Sequence, residues 1–213
     1  MIKVFNYMAI ALGVSGGIAY FAGTSPEFQN AIVTTPALMW IVAFAPVVFV
    51  FIFSFGAHKM SLQTTQIMYW VFSVLMGLSL WFVFAAYTEA SIVKTFFVSA
   101  ATFAGMSLYG YTTKRDLTGM GNFLMMGLFG IIIASLVNIF FKSPALEFAI
   151  SIIGVILFTG LTAYDTQKMK QIYYATASNV EVAGKAAIMG ALNLYMDFIN
   201  LFLFLLRFMG NRR

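Results

Sequence analysis

The chain has 213 residues, of which 62% are hydrophobic and only 9% charged, with a formal net charge of +5. A soluble domain is about 25% charged, so this composition excludes an ordinary soluble fold and reads as one polytopic transmembrane domain, residues 1–213, with the lipid bilayer as its solvent. There is no cysteine and a single histidine, His58, which excludes a disulfide framework, a cysteine-rich zinc site and a cysteine nucleophile.

A membrane helix takes about 20 mostly apolar residues. Seven segments qualify in chain order: Val4–Ala22, Ala37–Gly56, Gln66–Tyr87, Ile92–Tyr111, Asn122–Phe141, Ala145–Thr166 and Ala186–Met209. The first is not a signal peptide, because no small-x-small cleavage site follows it and more apolar segments do. The chain starts almost directly at this segment, which is compatible with a polar tail ahead of it. Pro46, midway along the second, is expected to kink it. Ser143-Pro144 before the sixth is a helix-start signal, with Glu147 suiting the first turn. Ala101/Gly105 and Gly130/Ala134 carry the four-residue spacing that lets membrane helices approach closely.

The short links carry most of the charge, so the positive balance reads as topology and not as a nucleic-acid surface. With the N-terminus in the cytoplasm, the inner side holds Lys3, Lys59, Lys114, Arg115, Lys168, Lys170 and Lys185, and the outer loops hold only Lys94 and Lys142. Seven crossings then leave Arg207, Arg212 and Arg213 toward the outside, against the rule. The last segment either crosses in full, which is the favoured reading, or re-enters and returns.

Two lone aspartates interrupt apolar stretches: Asp165 in Gly160–Lys168 and Asp197 in Leu194–Phe208. Charge at membrane depth is costly and usually functional. If the sixth helix runs on to about residue 176 and the seventh starts near 185, each aspartate lies about 17 Å along its helix from the link, so an antiparallel pair brings them to matching depth. Two carboxyl groups that meet in a low dielectric tend to share one proton and titrate as a unit, which makes a pH sensor and, when ionised, a cation site. Asp165 also reads as an interfacial residue solvated near Lys168 and Lys170. Asn193, Asp197, Asn200 and Arg207 share one helical face, and such a stripe must turn toward protein or water. Its plainer reading is a buried polar network that holds helices together. Asn138, in the fifth segment, reads as an inter-helix hydrogen bond more readily than as a pore-lining group.

The other charges rank lower. Lys114-Arg115-Asp116 reads as a solvated loop that fixes topology, and Glu27, Glu89 and Glu147 fall in or near outer loops. Enzyme signatures are absent: no Gly-rich phosphate loop, no HExxH and no serine elbow. The Gly-x-Gly-Asp setting of intramembrane aspartyl proteases is also missing, since the aspartates sit in Ala163-Tyr164-Asp165-Thr166 and Tyr195-Met196-Asp197-Phe198. The chain does not read as an enzyme, and no cofactor is expected.

The blocks YGYTTKRDL (Tyr109–Leu117), NIFF (Asn138–Phe141), FTGLTAYDTQKMK (Phe158–Lys170) and ALNLYMDFINLFLFLLRFMG (Ala191–Gly210) resemble the bacterial branch of the transmembrane Bax-inhibitor family. The resemblance implies an all-α membrane protein of seven helices, with the C-terminal helix central and ringed by the other six. It implies a pH-sensitive calcium leak of the inner membrane, with calcium as the permeant ion, gated by a di-aspartyl pair whose positions match Asp165 and Asp197. It implies a basic latch near the inner end of the second helix, where His58 and Lys59 stand; Arg207 is the next candidate. Some relatives carry an acid within that helix, and Ala37–Gly56 has none. The alternative is a regulator that binds other membrane proteins, such as a membrane protease. A proton-coupled transporter is a third reading, but no residue pattern suggests a substrate.

Overall fold

The computed structural model describes residues 1–176 and 178–213; at His58 only the backbone is described. The described residues are almost wholly helical, and seven helical stretches are long and apolar enough to cross a membrane. These are α1 (Ile2–Thr24), α3 (Pro36–Gly56), the pair α4 (Leu62–Ser79) and α5 (Trp81–Ala86), α6 (Glu89–Thr112), α7 (Thr118–Phe141), α8 (Pro144–Thr176) and α9 (Val180–Met209). All seven expected segments are present. The chain divides into two compact units, one of residues 1–88, 175–192 and 212–213, the other of residues 89–174 and 193–211.

In the first unit, α1 packs on α4 and α5, and α4 packs on α3. Gly77 lets α4 touch α1, since a Cβ there would stand 2.8 Å from the Ser15 carbonyl oxygen. Ser15 closes the same contact by donating its hydroxyl to the Ser73 carbonyl (2.7 Å). The third expected segment is broken once. Leu80 leaves the helical region (φ −84°, ψ 5°), and its N–H bonds to Met76 and Gly77. Pro46 sits inside α3, and the helix runs through it.

The stretch between the first two membrane segments was expected to be a link and instead contains α2 (Pro26–Thr34). Its start is local chemistry. Ser25 accepts from the Phe28 N–H, Pro26 presets the first turn, and Glu27 suits the helix dipole. The Ser25 hydroxyl also donates to Glu27 (2.9 Å) and, with the backbone, holds that carboxyl below its usual range.

In the second unit, the close approaches are not at the expected pairs. Gly105 and Gly130 lie on exposed faces with nothing within 4 Å of a built Cβ. The tight seat is Gly110, where a Cβ would run into the Ala163 backbone and push α6 off α8. Ser143 and Pro144 start α8 as expected, with the Leu146 N–H on Ser143 Oγ (3.4 Å).

The C-terminal segment is one unbroken helix of 30 residues, or about 45 Å, against a hydrocarbon core of about 30 Å. It has the length to cross in full, and it carries no internal break for a re-entrant turn. Of the seven spans it is the most enclosed, and α7 and α3 are the least.

Gly110→Ala should cost about 1–3 kcal/mol, the usual range for overpacking a close contact. Gly105→Ala should be neutral or stabilising by up to about 1 kcal/mol, because only helix propensity changes. Thermal unfolding of the two variants in detergent checks this, and equal melting temperatures would refute the assigned seat.

Candidate functional site

Asp165 and Asp197 meet. Their carboxyl groups lie within hydrogen-bonding reach of each other, and both lie in the second unit. A hydrogen bond between two carboxyl groups needs a proton on one of them. Asp197 is only 6% exposed, and among the described residues its Oδ2 has no hydrogen-bond partner. Asp165 is half-buried. Such an orphaned oxygen costs on the order of 1–3 kcal/mol if it stays dry.

The equal-arm argument for this pairing needs correction. The polar stretch Gln171–Lys185 is mostly helix, since α8 ends at Thr176 and α9 starts at Val180. Asn179 starts α9 early by accepting from the N–H groups of Glu181 and Val182, both at 3.1 Å. Lys185, expected at the edge of the link, pairs with Glu181 one turn back (3.0 Å). The aspartates thus lie about 17 Å and about 26 Å from their helix ends. Their contact rests on an axial offset of the two helices by roughly 9 Å.

The turn that carries Asp165 is held on several sides. Gly110 of α6 abuts Ala163, and Gly121 of α7 faces the Tyr164 ring. Gln167, 8% exposed, fastens the α6–α7 loop to α8. Its Oε1 accepts from the Leu117 N–H (2.9 Å), and its Nε2 donates to the Arg115 carbonyl (2.8 Å). Lys170 donates to the Tyr111 carbonyl (2.8 Å) and stands 5.0 Å from that ring. The charges of Lys114, Arg115 and Asp116 are exposed, as expected. Asp116 also starts α7, accepting from the Thr118 N–H and hydroxyl, which keep its carboxyl below the usual range. Sequence reasoning did not single out Gln167, although it lies two residues after Asp165 in the quoted block.

The remaining candidates separate. Asn193 and Asn200 are half-buried beside the buried Asp197, while Arg207 is exposed. The Arg207 guanidinium lies 5.7 Å from the Phe204 ring, about 15 Å of helix beyond Asp197. Asn138, expected as an inter-helix bond, instead closes the end of its own helix by accepting from the Ser143 N–H (3.0 Å). That cap follows a left-handed Lys142 (φ 47°). Lys59 is exposed in a 3-10 turn, Ala57–Lys59. The side chain of His58 lies outside the described residues. Lys168, one turn past Asp165 on α8, stands 5.8 Å from the Tyr164 ring.

The family described as "Inhibitor of apoptosis-promoting Bax1" matches residues 1–213. The chain is 51% identical to an uncharacterized protein of Rickettsia prowazekii, over all of this chain and 89% of that protein. It is 46% identical to the inner membrane protein YbhL of Escherichia coli, over all of this chain and 92% of that protein. An uncharacterized membrane protein of Streptococcus pyogenes is 35% identical over 98% of this chain and 90% of its own length. With a match that runs from the first residue to the last, the chain belongs to the Bax1-I family of membrane proteins, as the blocks around Asp165 and Asp197 lead one to expect.

Proposed function

We propose that this protein is a pH-sensitive calcium leak of the bacterial inner membrane, gated by the Asp165–Asp197 pair. The observation that carries the reading is the close approach of two carboxyl groups in helices otherwise built for lipid. With one proton between them, the pair ties α8 to α9. Without that proton, two like charges face each other. Two unit charges 4 Å apart repel by about 4 kcal/mol at an effective dielectric of about 20, enough to change a two-state equilibrium about a thousandfold. The same charges attract a divalent cation. Calcium takes about six to eight oxygens, and no third acidic or histidine side chain joins the pair among the described residues. So sparse a donor set suits passage better than storage.

A basic group completes this reading as a counter-charge for the ionised pair. The candidates are His58 and Lys59 after α3, Lys168 on α8, and Arg207 on α9. The loop between α8 and α9 is assigned to the cytoplasm on the strength of Lys168, Lys170 and Lys185.

Purified protein in liposomes should admit calcium along a pH-dependent curve. Asp165→Asn and Asp197→Asn should each abolish that dependence, and the double variant should match the singles, because the pair acts as one unit. Folded single variants with an unchanged pH response would sink the gate. A wild-type protein that passes no calcium in these liposomes would favour the regulatory reading.

Among Lys59→Ala, His58→Ala, Lys168→Ala and Arg207→Ala, the one that removes the working counter-charge should move the flux midpoint to higher pH. Loss of a positive neighbour disfavours the ionised pair. Four unmoved midpoints would show that no latch operates.

A cysteine at Ser178 of this cysteine-free chain should resist an impermeant thiol reagent added outside intact cells. Ready labelling from outside would reverse the orientation.

A further inference from the structure

The buried side of α6 carries Ser91, Thr95, Ser99, Phe103 and Ser107, one residue every four positions, in a row that winds about 160° round the helix. All five are buried, at 7%, 1%, 0%, 4% and 5% exposure in chain order. The row rises about 24 Å through a hydrocarbon core of about 30 Å. A serine or threonine in a helix always has the carbonyl four residues back within reach. Thr102 and Thr112 of α6 take that bond, and so do Ser151, Thr162 and Thr166 of α8. Ser99 takes it too, and Ser91 accepts from the Asn211 N–H. Among the described residues, Thr95 Oγ1 and Ser107 Oγ, both buried, have no partner.

The third orphaned atom is Asp197 Oδ2, and it belongs to the same neighbourhood. Phe198, the next residue, packs edge-on against Phe96 and Phe103 of α6, with ring centroids 5.6 Å apart in each case. Asp197 is therefore one residue from an α6–α9 contact that includes Phe103 of the row. Successive hydroxyls about 6 Å apart are spaced for one bridging water each, at two hydrogen bonds of about 2.8 Å. Phe103 interrupts that spacing between Ser99 and Ser107.

We propose that the hydroxyl face of α6 is a water-lined path by which a small cation reaches the Asp165–Asp197 pair, with Phe103 as its dry constriction. The hydroxyl oxygens offer lone pairs to a partly hydrated cation, and the row itself carries no charge that would hold the cation in place. A ring held across such a file blocks it by excluding water. This rests on the gating reading above, and it adds where the ion travels.

The cysteine-free chain permits a direct test of hydration. Thr95→Cys, Ser99→Cys and Ser107→Cys change little volume, and Val98→Cys on the exposed face of α6 is the control. Each purified variant, in liposomes, meets 2-aminoethyl methanethiosulfonate, which reacts with the hydrated thiolate. Thr95→Cys and Ser107→Cys should react at least about tenfold faster than Val98→Cys, since the thiolate forms in water and not in lipid. Phe103→Ala should speed labelling of Ser99→Cys and raise calcium uptake at the pH where the wild type passes least. Rates at residues 95 and 107 no faster than the control would overturn the path, even with calcium flux intact. Rapid labelling without any calcium flux would leave the path standing and remove calcium as its cargo. Thr95→Val with Ser107→Ala, which keeps shape and removes both hydroxyls, should lower flux severalfold in folded protein; unchanged flux would reduce the row to packing and overturn the proposal.

Discussion

An ionisable group inside hydrocarbon must find a proton, a partner or water, because the solvent around it supplies none of them. Asp197 is where this chain meets that demand most sharply. It is buried on a helix of aromatic and aliphatic residues, it lies within hydrogen-bonding reach of Asp165, and among the described residues its Oδ2 has no donor. The second unit is arranged around that contact. Gly110 draws α6 against the residue two before Asp165, Gly121 brings α7 to the residue just before it, and Gln167 ties the α6–α7 loop two residues after it. A small displacement of α8 therefore reaches three neighbouring elements at once. This is the mechanical condition for a protonation event to be felt beyond the pair itself.

The arrangement differs from a purely structural polar network in one respect. Networks that only hold helices together close their hydrogen bonds, as the hydroxyls of α8 do on their own backbone. Around Asp197 the bonds do not close. Among the described residues, the unpartnered atoms belong to α6, one residue before Phe96 and four after Phe103, and to α9, one residue before Phe198. Incomplete satisfaction is costly in a static core; under the proposed leak it would keep a cation from binding too tightly to be released.

Much of this was legible beforehand. The seven spans follow from hydropathy alone, and the pair of aspartates stands out because charge is so scarce. Other features were hidden for physical reasons. Residues 180–185 are polar and look like a link, yet Asn179 and the Glu181–Lys185 pair make them a helix. Ser25-Pro26-Glu27 is a readable helix start that hydropathy passes over. Glycine spacing pointed to Gly105 and Gly130, which face outward, because the motif records size and not direction. Gln167 gave no signal by type, since its role depends on a loop fifty residues earlier in the chain.

The serine and threonine row on α6 is the instructive case. Its four-residue period can be counted in the sequence, but hydroxyls are common in membrane helices because each can bond to its own backbone. What distinguishes Thr95 and Ser107 is that they forgo the bond that their neighbours on the same helix take. That choice is a side-chain torsion, invisible to composition and period. A residue's identity states which hydrogen bonds it can make; only coordinates state which it leaves open. In a membrane, where water is otherwise excluded, the open ones mark where water has a reason to enter.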